Sequence, residues 1–241
     1  LAKIFRTPRF GFTARMGDLC LTLSDADAEG YAQMFPYAAD RFHAVPNPYV
    51  TPEMLSVGEE RTARDPTVPA RLLAVGRIAP QKDYLTLISA LGHVADRPWS
   101  LTILGDGPLL EEVQTRAEKL ELAGRINFTG FVSDVTPYLA QSDILVLSSQ
   151  WEGFPAVPIE AMAAGCPVVA TDCSPGLTRL LHQTGQTAVA VRDPQALGTA
   201  IGTEIETSRP VKPLTAGAAA YAIENSVDQH LRLLERACNP R

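Results

Sequence analysis

From Arg71 onward, short runs of apolar residues alternate with stretches in which apolar residues recur every three or four positions. The continuous runs predict buried strands at residues 72–76, 100–104, 126–129, 144–147, 167–171 and 187–191. The stretches between them are typical of amphipathic helices, as at Leu109, Val113 and Ala117. Buried strands separated by helices indicate a doubly wound α/β domain, with a Rossmann-like parallel sheet covered on both faces.

The two ends of the chain follow other patterns. "DLCLTLS", "DADAEGYAQMF" and "RFHAVPNP" predict a strand, a helix and a second short strand, which are too few for an independent sheet. We therefore expect residues 1–55 to be the end of an incomplete N-terminal α/β domain, followed by a polar linker at 56–69. Residues 70–224 then form the main domain. Residues 225–241 carry an amphipathic helix with apolar positions at Val227, Leu231 and Leu234.

Composition limits the partners of the protein. Its 241 residues are 46% hydrophobic, which is enough for a buried core, and the formal net charge is −6. This charge does not favour nucleic acid as a partner, so any phosphate site has to be local. The histidines lack metal-ligand spacing, and we predict no metal site. Cys166 and Cys173 flank a predicted strand and are expected in the core, as suits a reducing cytoplasm.

Polar residues follow the predicted strands at their carboxyl ends, where open parallel sheets bind ligands. Arg77 and Lys82 follow the first strand, and Gly105 follows the second in "GDGP". A diphosphate suits such a pair of cations, because arginine offers a planar fork and lysine a mobile point charge. Two solvated surface cations are an equally good interpretation of this pair taken alone.

The stretch "EGFPAVPIEAM" follows the fourth strand. Gly153 permits close approach of a ligand to the backbone, and Pro155 or Pro158 can start a helix whose free N–H groups attract an anion. Glu152 and Glu160 can each accept two hydrogen bonds from neighbouring hydroxyls. Together these features favour a ligand with phosphate and polyol parts. The alternative is that Glu152 is a surface acid and Glu160 is stabilised by the helix dipole.

Two other motifs are weaker than they look. Asp25 and Asp27 in "DAD" match a metal-binding pattern, but they follow Ser24 at a predicted strand-to-helix junction, where capping explains them better. "GDGP" lacks the third glycine of a dinucleotide-binding loop, and no acidic residue ends a following strand. We predict neither a DxD metal site nor a dinucleotide site.

Taken in order, "VPNP", "VGRIAPQKDY", "ILGDGPLLEEV", "INFTGFV" and "SDILVLSSQWEGFPAVPIEAMAAGCPVVATD" resemble the retaining nucleotide-sugar glycosyltransferases of family 4, which have the GT-B fold. The resemblance runs from about Asp18 to the last helix. It implies that Arg77 and Lys82 hold the donor diphosphate. Glu152, the first acid of the E-x7-E motif, would contact the donor sugar, and Glu160 would bind the ribose hydroxyls.

The same resemblance implies further donor contacts. Gly153, Phe154 and Pro155 match the backbone turn that meets the phosphates and the sugar. Phe131 and Val132 match the loop whose backbone lies against the base. The last helix resembles one that crosses back to the first domain. The glycine-rich loop and acceptor site of that first domain are not found, so the isolated chain is expected to be inactive.

Three functions are therefore open. The first is transfer of a sugar from a UDP-, GDP- or ADP-sugar to a glycan or lipid-linked acceptor, without metal or cofactor. The second is a nucleotide-sugar epimerase, and the third a module that binds the nucleotide sugar without catalysis. The resemblance favours transfer, in the cytoplasm or in peripheral contact with the inner membrane through the missing domain.

Overall fold

The computed structural model describes residues 17–62, 64–207 and 212–238. The chain divides into two compact units. The larger unit is Val50–Ala219, and the smaller one joins the residues up to Tyr49 with those from Ala220 onward.

The described residues form eight strands and ten α-helices. The strands are β1 Cys20–Thr22, β2 Phe42–Ala44, β3 Ala70–Val75, β4 Trp99–Leu104, β5 Ile126–Gly130, β6 Ile144–Leu147, β7 Val168–Thr171 and β8 Thr187–Val189. The helices are α1 Asp25–Met34, α2 Pro52–Glu60, α3 Tyr84–Gly92, α4 Leu110–Lys119, α5 Thr136–Gln141, α6 Ala156–Ala163, α7 Pro175–Gln183, α8 Pro194–Glu206, α9 Lys212–Ala218 and α10 Ile223–Cys238. Short 3-10 helices lie at Pro36–Arg41, Ala123–Arg125 and Ala219–Tyr221.

The larger unit contains a six-stranded parallel sheet in the order β5-β4-β3-β6-β7-β8. All six predicted strands are confirmed, with bounds that differ by at most two residues. In the middle of the sheet, Leu72 of β3 pairs with Leu101 of β4 on one side and with Ile144 of β6 on the other. This is the predicted doubly wound α/β domain.

Helices cover both faces of this sheet. On one face, buried side chains of α3, α4 and α8 join those of the strands in one core, including Leu87, Val113 and Ile201. Alternate residues of the strands, such as Leu73 and Leu145, are buried as well, and α6 packs against β6 and β7 with α2 and α9 beside it. Burial on both faces explains why these strands are almost continuously apolar.

The smaller unit pairs β1 with β2 in parallel next to α1. Its small core contains Phe35, Ala38 and Phe42. As predicted, α10 is an amphipathic helix, but Val227, Leu231 and Leu234 are 44%, 54% and 49% exposed. This apolar stripe is therefore open in the structure.

The predicted start of the polar linker, at residue 56, is too early, because residues up to Glu60 are helical. Residues 52–60 form α2, where the Thr51 side chain accepts a hydrogen bond from Met54 N at 3.3 Å and Pro52 occupies the first turn. The helix also packs closely on α6, since a Cβ on Gly58 would lie 2.1 Å from the Ala163 carbonyl oxygen. Capping and this contact outweigh the polar composition of the segment.

We expect Ile103→Ala to lower the free energy of unfolding by about 2–5 kcal/mol, because Ile103 is fully buried in β4 and its truncation leaves a cavity. Leu120→Ala is the control, since Leu120 is 37% exposed, and its cost should stay below about 1 kcal/mol. Urea unfolding of both variants measures the difference. Equal costs would contradict the assignment of β4 to the centre of the core.

Candidate functional site

The strand order reverses direction between β3 and β6. From β3 the chain adds β4 and β5 on one side, and β6, β7 and β8 then extend the sheet on the other side. Loops that leave two such strands at their carboxyl ends turn apart and leave a crevice. The loops after β3 and β6 carry six of the predicted site residues: Arg77, Lys82, Glu152, Gly153, Phe154 and Pro155.

Glycine backbones bring the loops after β3, β4 and β5 into contact. Gly76 donates its N–H to the Leu104 carbonyl at 2.9 Å, and Gly105 donates to the Gly130 carbonyl at 2.8 Å. Gly105 has a φ of 143°, and a Cβ there would lie 2.1 Å from the Gly76 carbonyl oxygen. The predicted site residue Gly105 is therefore required by close packing of the backbone.

Lys82 and Glu152 form an ion pair across the crevice, with 2.7 Å between Lys82 Nζ and Glu152 Oε1. Their side chains are only 22% and 11% exposed. The Ser148 hydroxyl also donates to the Lys82 carbonyl oxygen at 2.7 Å, which links the two loops. The alternative that Glu152 is a surface acid is therefore wrong, and Lys82 is not a solvated surface cation.

Two residues that the sequence did not single out complete the surroundings of Glu152. The Ser149 hydroxyl donates to Glu152 Oε1 at 2.8 Å, and Gln81 Nε2 donates to Oε2 at 3.2 Å. The Glu152 backbone N–H is bonded to the Cys173 carbonyl at 2.8 Å. Gln81 and Ser149 are neutral, so no charge pattern marks them. The sequence does hold one indication of their role. Gln81 is adjacent to Lys82, and Ser149 lies three residues before Glu152, in loops that follow two strands.

Arg77 differs from Lys82 in its surroundings. Its side chain is exposed and forms no ion pair with any residue of the described ranges. Of the two predicted cations at this edge of the sheet, Lys82 is therefore paired with a carboxylate, whereas the Arg77 guanidinium is exposed to solvent. A diphosphate could reach the arginine without displacing any described side chain.

The turn into α6 presents backbone amides. Pro155 is the N-cap residue and has no side chain that could cap the helix, so the N–H groups of Ala156 and Val157 lack a capping acceptor. Phe154 and Pro155 are buried, whereas Gly153 is exposed and a Cβ there would meet nothing within 4 Å. Only the backbone of Phe154 and Pro155 can therefore face a ligand, and the helix N-terminus is suited to an anion.

Glu160 lies in the second turn of α6 and is largely buried. Burial raises the pKa of its carboxyl group to about 6. No described residue donates a hydrogen bond to this carboxylate or pairs with it. Glu160 lies beyond the first turn of α6, which weakens the alternative that the helix dipole stabilises its carboxylate. The carboxylate therefore has capacity for two or more donors from a ligand.

Phe131 and Val132 lie further from the crevice. They follow β5, which is separated from β3 by β4. The Phe131 side chain is 83% exposed, whereas Val132 is half-buried. The structure thus brings Lys82 to Glu152 and Gly105 to Gly76. Phe131 is an exposed aromatic side chain at the same edge of the sheet, where the strands end.

Other chemistry is limited among the described residues. No three His, Cys, Asp or Glu side chains gather there as ligands for a metal ion.

At the "DAD" motif, Ser24 caps α1 by accepting a hydrogen bond from Asp27 N at 3.2 Å, as predicted. Cys166 and Cys173 are buried free thiols, also as predicted. Within these ranges no helix has both the length and the apolar character needed to cross a bilayer.

Comparison with known proteins agrees with this geometry. The sequence profile described as "Glycosyl transferases group 1" matches residues 69–206, which include the whole crevice. The chain therefore belongs to the group 1 glycosyl transferases. It is also 32% identical over 167 residues to an uncharacterized glycosyltransferase of Haemophilus influenzae. That match covers 68% of this chain and 45% of the relative, so the chain spans less than half of the relative's length.

Solved structures confirm the predicted fold. A glycosyltransferase from Rickettsia africae superposes with a TM-score of 0.78 at 17% identity, covering 98% of this chain and 68% of that protein. The Anabaena protein HepE, crystallised with UDP and glucose, gives a TM-score of 0.69 at 21% identity, covering 92% and 64%. At these identities the likeness shows the Rossmann-like GT-B architecture and nothing finer.

Because burial raises the pKa of Glu160, we expect the stability of the protein to depend on pH. Because its folded pKa of about 6 lies above the ordinary 4.5, the stability it contributes is present below pH 4.5 and is lost as the pH rises through 6. We expect wild type to lose about 1 kcal/mol relative to Glu160→Gln between these pH values. Urea unfolding from pH 4 to 7 measures this, with Glu118→Gln, on an exposed face of α4, as the control. Parallel curves for wild type and Glu160→Gln would contradict the effect.

Proposed function

We propose that this chain contains the donor-binding part of a retaining glycosyltransferase of family 4, which transfers a sugar from a nucleoside diphosphate sugar to an acceptor. The observation that carries the proposal is the half-buried Lys82–Glu152 ion pair, at 2.7 Å, between the loops that follow β3 and β6. Membership of the group 1 glycosyl transferases supports transfer. A structural neighbour crystallised with UDP and glucose supports a nucleotide-sugar donor.

The diphosphate is assigned to the cationic side of the crevice. Arg77 can form two parallel hydrogen bonds with phosphate oxygens, and Lys82 supplies a point charge. The free amides at the start of α6, next to Gly153, add the positive end of the helix dipole. These groups do the work of a divalent cation, so the proposal includes neither a metal ion nor a cofactor.

The remaining parts of the donor are assigned to the two carboxylates and to the β5 loop. Glu152 accepts hydrogen bonds from the donor sugar near its reacting carbon. Glu160, which has no described partner, accepts both ribose hydroxyls. Phe131 and Val132 lie against the base. The base is left open among uracil, guanine and adenine.

The chemistry is substitution at the anomeric carbon with retention of configuration. The bond between this carbon and the diphosphate oxygen breaks, and its electron pair leaves with the diphosphate. The acceptor oxygen forms its bond on the same face, and its proton passes to the leaving diphosphate oxygen. Charge grows on the leaving diphosphate, where Arg77 and Lys82 stabilise it, and one preorganised donor of this kind contributes about 3 kcal/mol. Glu152 stabilises the positive charge that develops on the sugar ring.

The acceptor is proposed to be a glycan or a lipid-linked saccharide that binds to an N-terminal domain, which would also supply any peripheral contact with the inner membrane. The proposed location is the cytoplasm. This chain alone is expected to bind donor without transferring sugar. The epimerase alternative gains no support from the family. If a glycoside forms in a transfer assay, its anomeric configuration distinguishes retention from inversion.

Calorimetry of UDP, GDP and ADP with this chain tests the donor site. We expect one of the three to bind, and Glu160→Ala to weaken it by about tenfold or more, because a charged hydrogen-bond acceptor is lost. The wild-type affinity should also rise as the pH passes 6 and Glu160 ionises. Glu118→Ala, on the exposed face of α4, is the control. Binding that Glu160→Ala leaves unchanged would contradict the ribose role, and binding of none would contradict the donor site.

A further inference from the structure

We propose that Gln81 and Ser149 are positioning residues that keep the Glu152 carboxylate in place while the donor diphosphate draws the Lys82 ammonium away from it. The inference rests on the proposed function, in which Lys82 meets the diphosphate and Glu152 meets the sugar. Neither Gln81 nor Ser149 is assigned a direct contact with the donor.

The need for such residues follows from the ion pair itself. Lys82 Nζ lies 2.7 Å from Glu152 Oε1, so the two groups that the proposed function assigns to the donor are bonded to each other. A diphosphate carries more negative charge than one carboxylate and competes for the same ammonium. The Glu152 side chain is only 11% exposed, and a carboxylate that loses its cation at such a depth is strongly destabilised unless other donors hold it.

Gln81 and Ser149 supply those donors, one for each carboxylate oxygen. The Ser149 hydroxyl donates to Oε1 at 2.8 Å, and Gln81 Nε2 donates to Oε2 at 3.2 Å. With both oxygens bonded, the plane of the carboxylate stays fixed when Lys82 departs. Both donors are uncharged, so the incoming diphosphate attracts them less than it attracts Lys82.

Both residues are themselves held by the fold. Ser149 is fully buried, and its carbonyl oxygen accepts a hydrogen bond from the Thr171 hydroxyl at 2.6 Å. Gln81 Nε2 also donates to the Trp151 carbonyl at 2.9 Å. The Gln81 carbonyl in turn accepts the Gln150 N–H at 2.8 Å, across the two loops. Neither side chain has to change its conformation for Glu152 to remain where it is.

Binding of UDP compared with UDP-glucose tests the proposal by calorimetry, and GDP with GDP-mannose and ADP with ADP-glucose are run in the same way. We expect Ser149→Ala and Gln81→Leu to keep the affinity for the diphosphate within about twofold. The same variants should lose about five- to tenfold in affinity for the nucleotide sugar, because each loses one hydrogen bond to a charged group. A merely structural role would weaken both ligands alike.

Gln150→Leu is the matched control, since the Gln150 side chain bonds Asp83 at 3.1 Å and Arg192 rather than Glu152. It should leave both affinities unchanged. If Glu152→Gln weakens the nucleotide sugar while Ser149→Ala and Gln81→Leu do not, the positioning role is wrong and the proposed function stands. If Glu152→Gln has no effect either, the proposed sugar contact fails.

A crystal structure of Lys82→Met provides a second test that needs no ligand. We expect the Glu152 carboxylate to stay within about 3.2 Å of both the Ser149 hydroxyl and Gln81 Nε2, as hydrogen bonds require. A carboxylate that turns out to solvent in this variant would overturn the inference. This result is decisive even if the wild-type chain binds none of the nucleotides.

Discussion

The site depends on the parallel pairing of β3 with β6 in the middle of the sheet. Their register, with Leu72 opposite Ile144, makes both strands end at the same edge. The loops that follow therefore begin side by side, and the Ser148 hydroxyl reaches the Lys82 carbonyl at 2.7 Å. Without this pairing, residues that are 70 positions apart in sequence, Lys82 and Glu152, would not meet.

The two glutamates of the E-x7-E motif have opposite surroundings, although both lie near the start of α6. Glu152 is bonded to three side-chain donors on two loops, so the fold fixes the orientation of its carboxylate. Glu160 is half-buried in α6 without a partner among the described residues, and burial raises the pKa of its carboxyl group. The first carboxylate is satisfied by the protein, and the second is available to hydroxyl groups from outside.

The apolar runs were sufficient to predict all six strands of the main sheet, because buried parallel strands have few polar positions. The motifs placed Lys82 and Glu152 at one edge, but their direct contact depends on side-chain conformations that no sequence pattern encodes. The sequence does not single out Gln81 and Ser149, because the role of a neutral side chain depends on the atoms that it contacts in the folded protein. Residues 56–60 have the polar composition of a linker, but they are helical because Thr51 caps the helix and Pro52 occupies its first turn.

The ion pair also affects which anions the crevice accepts. Glu152 pairs with Lys82, whereas Arg77 has no ion-pair partner among the described residues. Inorganic phosphate or sulfate would have to displace a carboxylate to reach the lysine, and such ions carry no sugar hydroxyls for Glu152. Under the proposed function a nucleotide sugar carries both a diphosphate for Lys82 and hydroxyls for Glu152, so the same displacement is compensated. In the proposed function, inorganic phosphate and sulfate are therefore poorer competitors for Lys82 than a nucleotide sugar is.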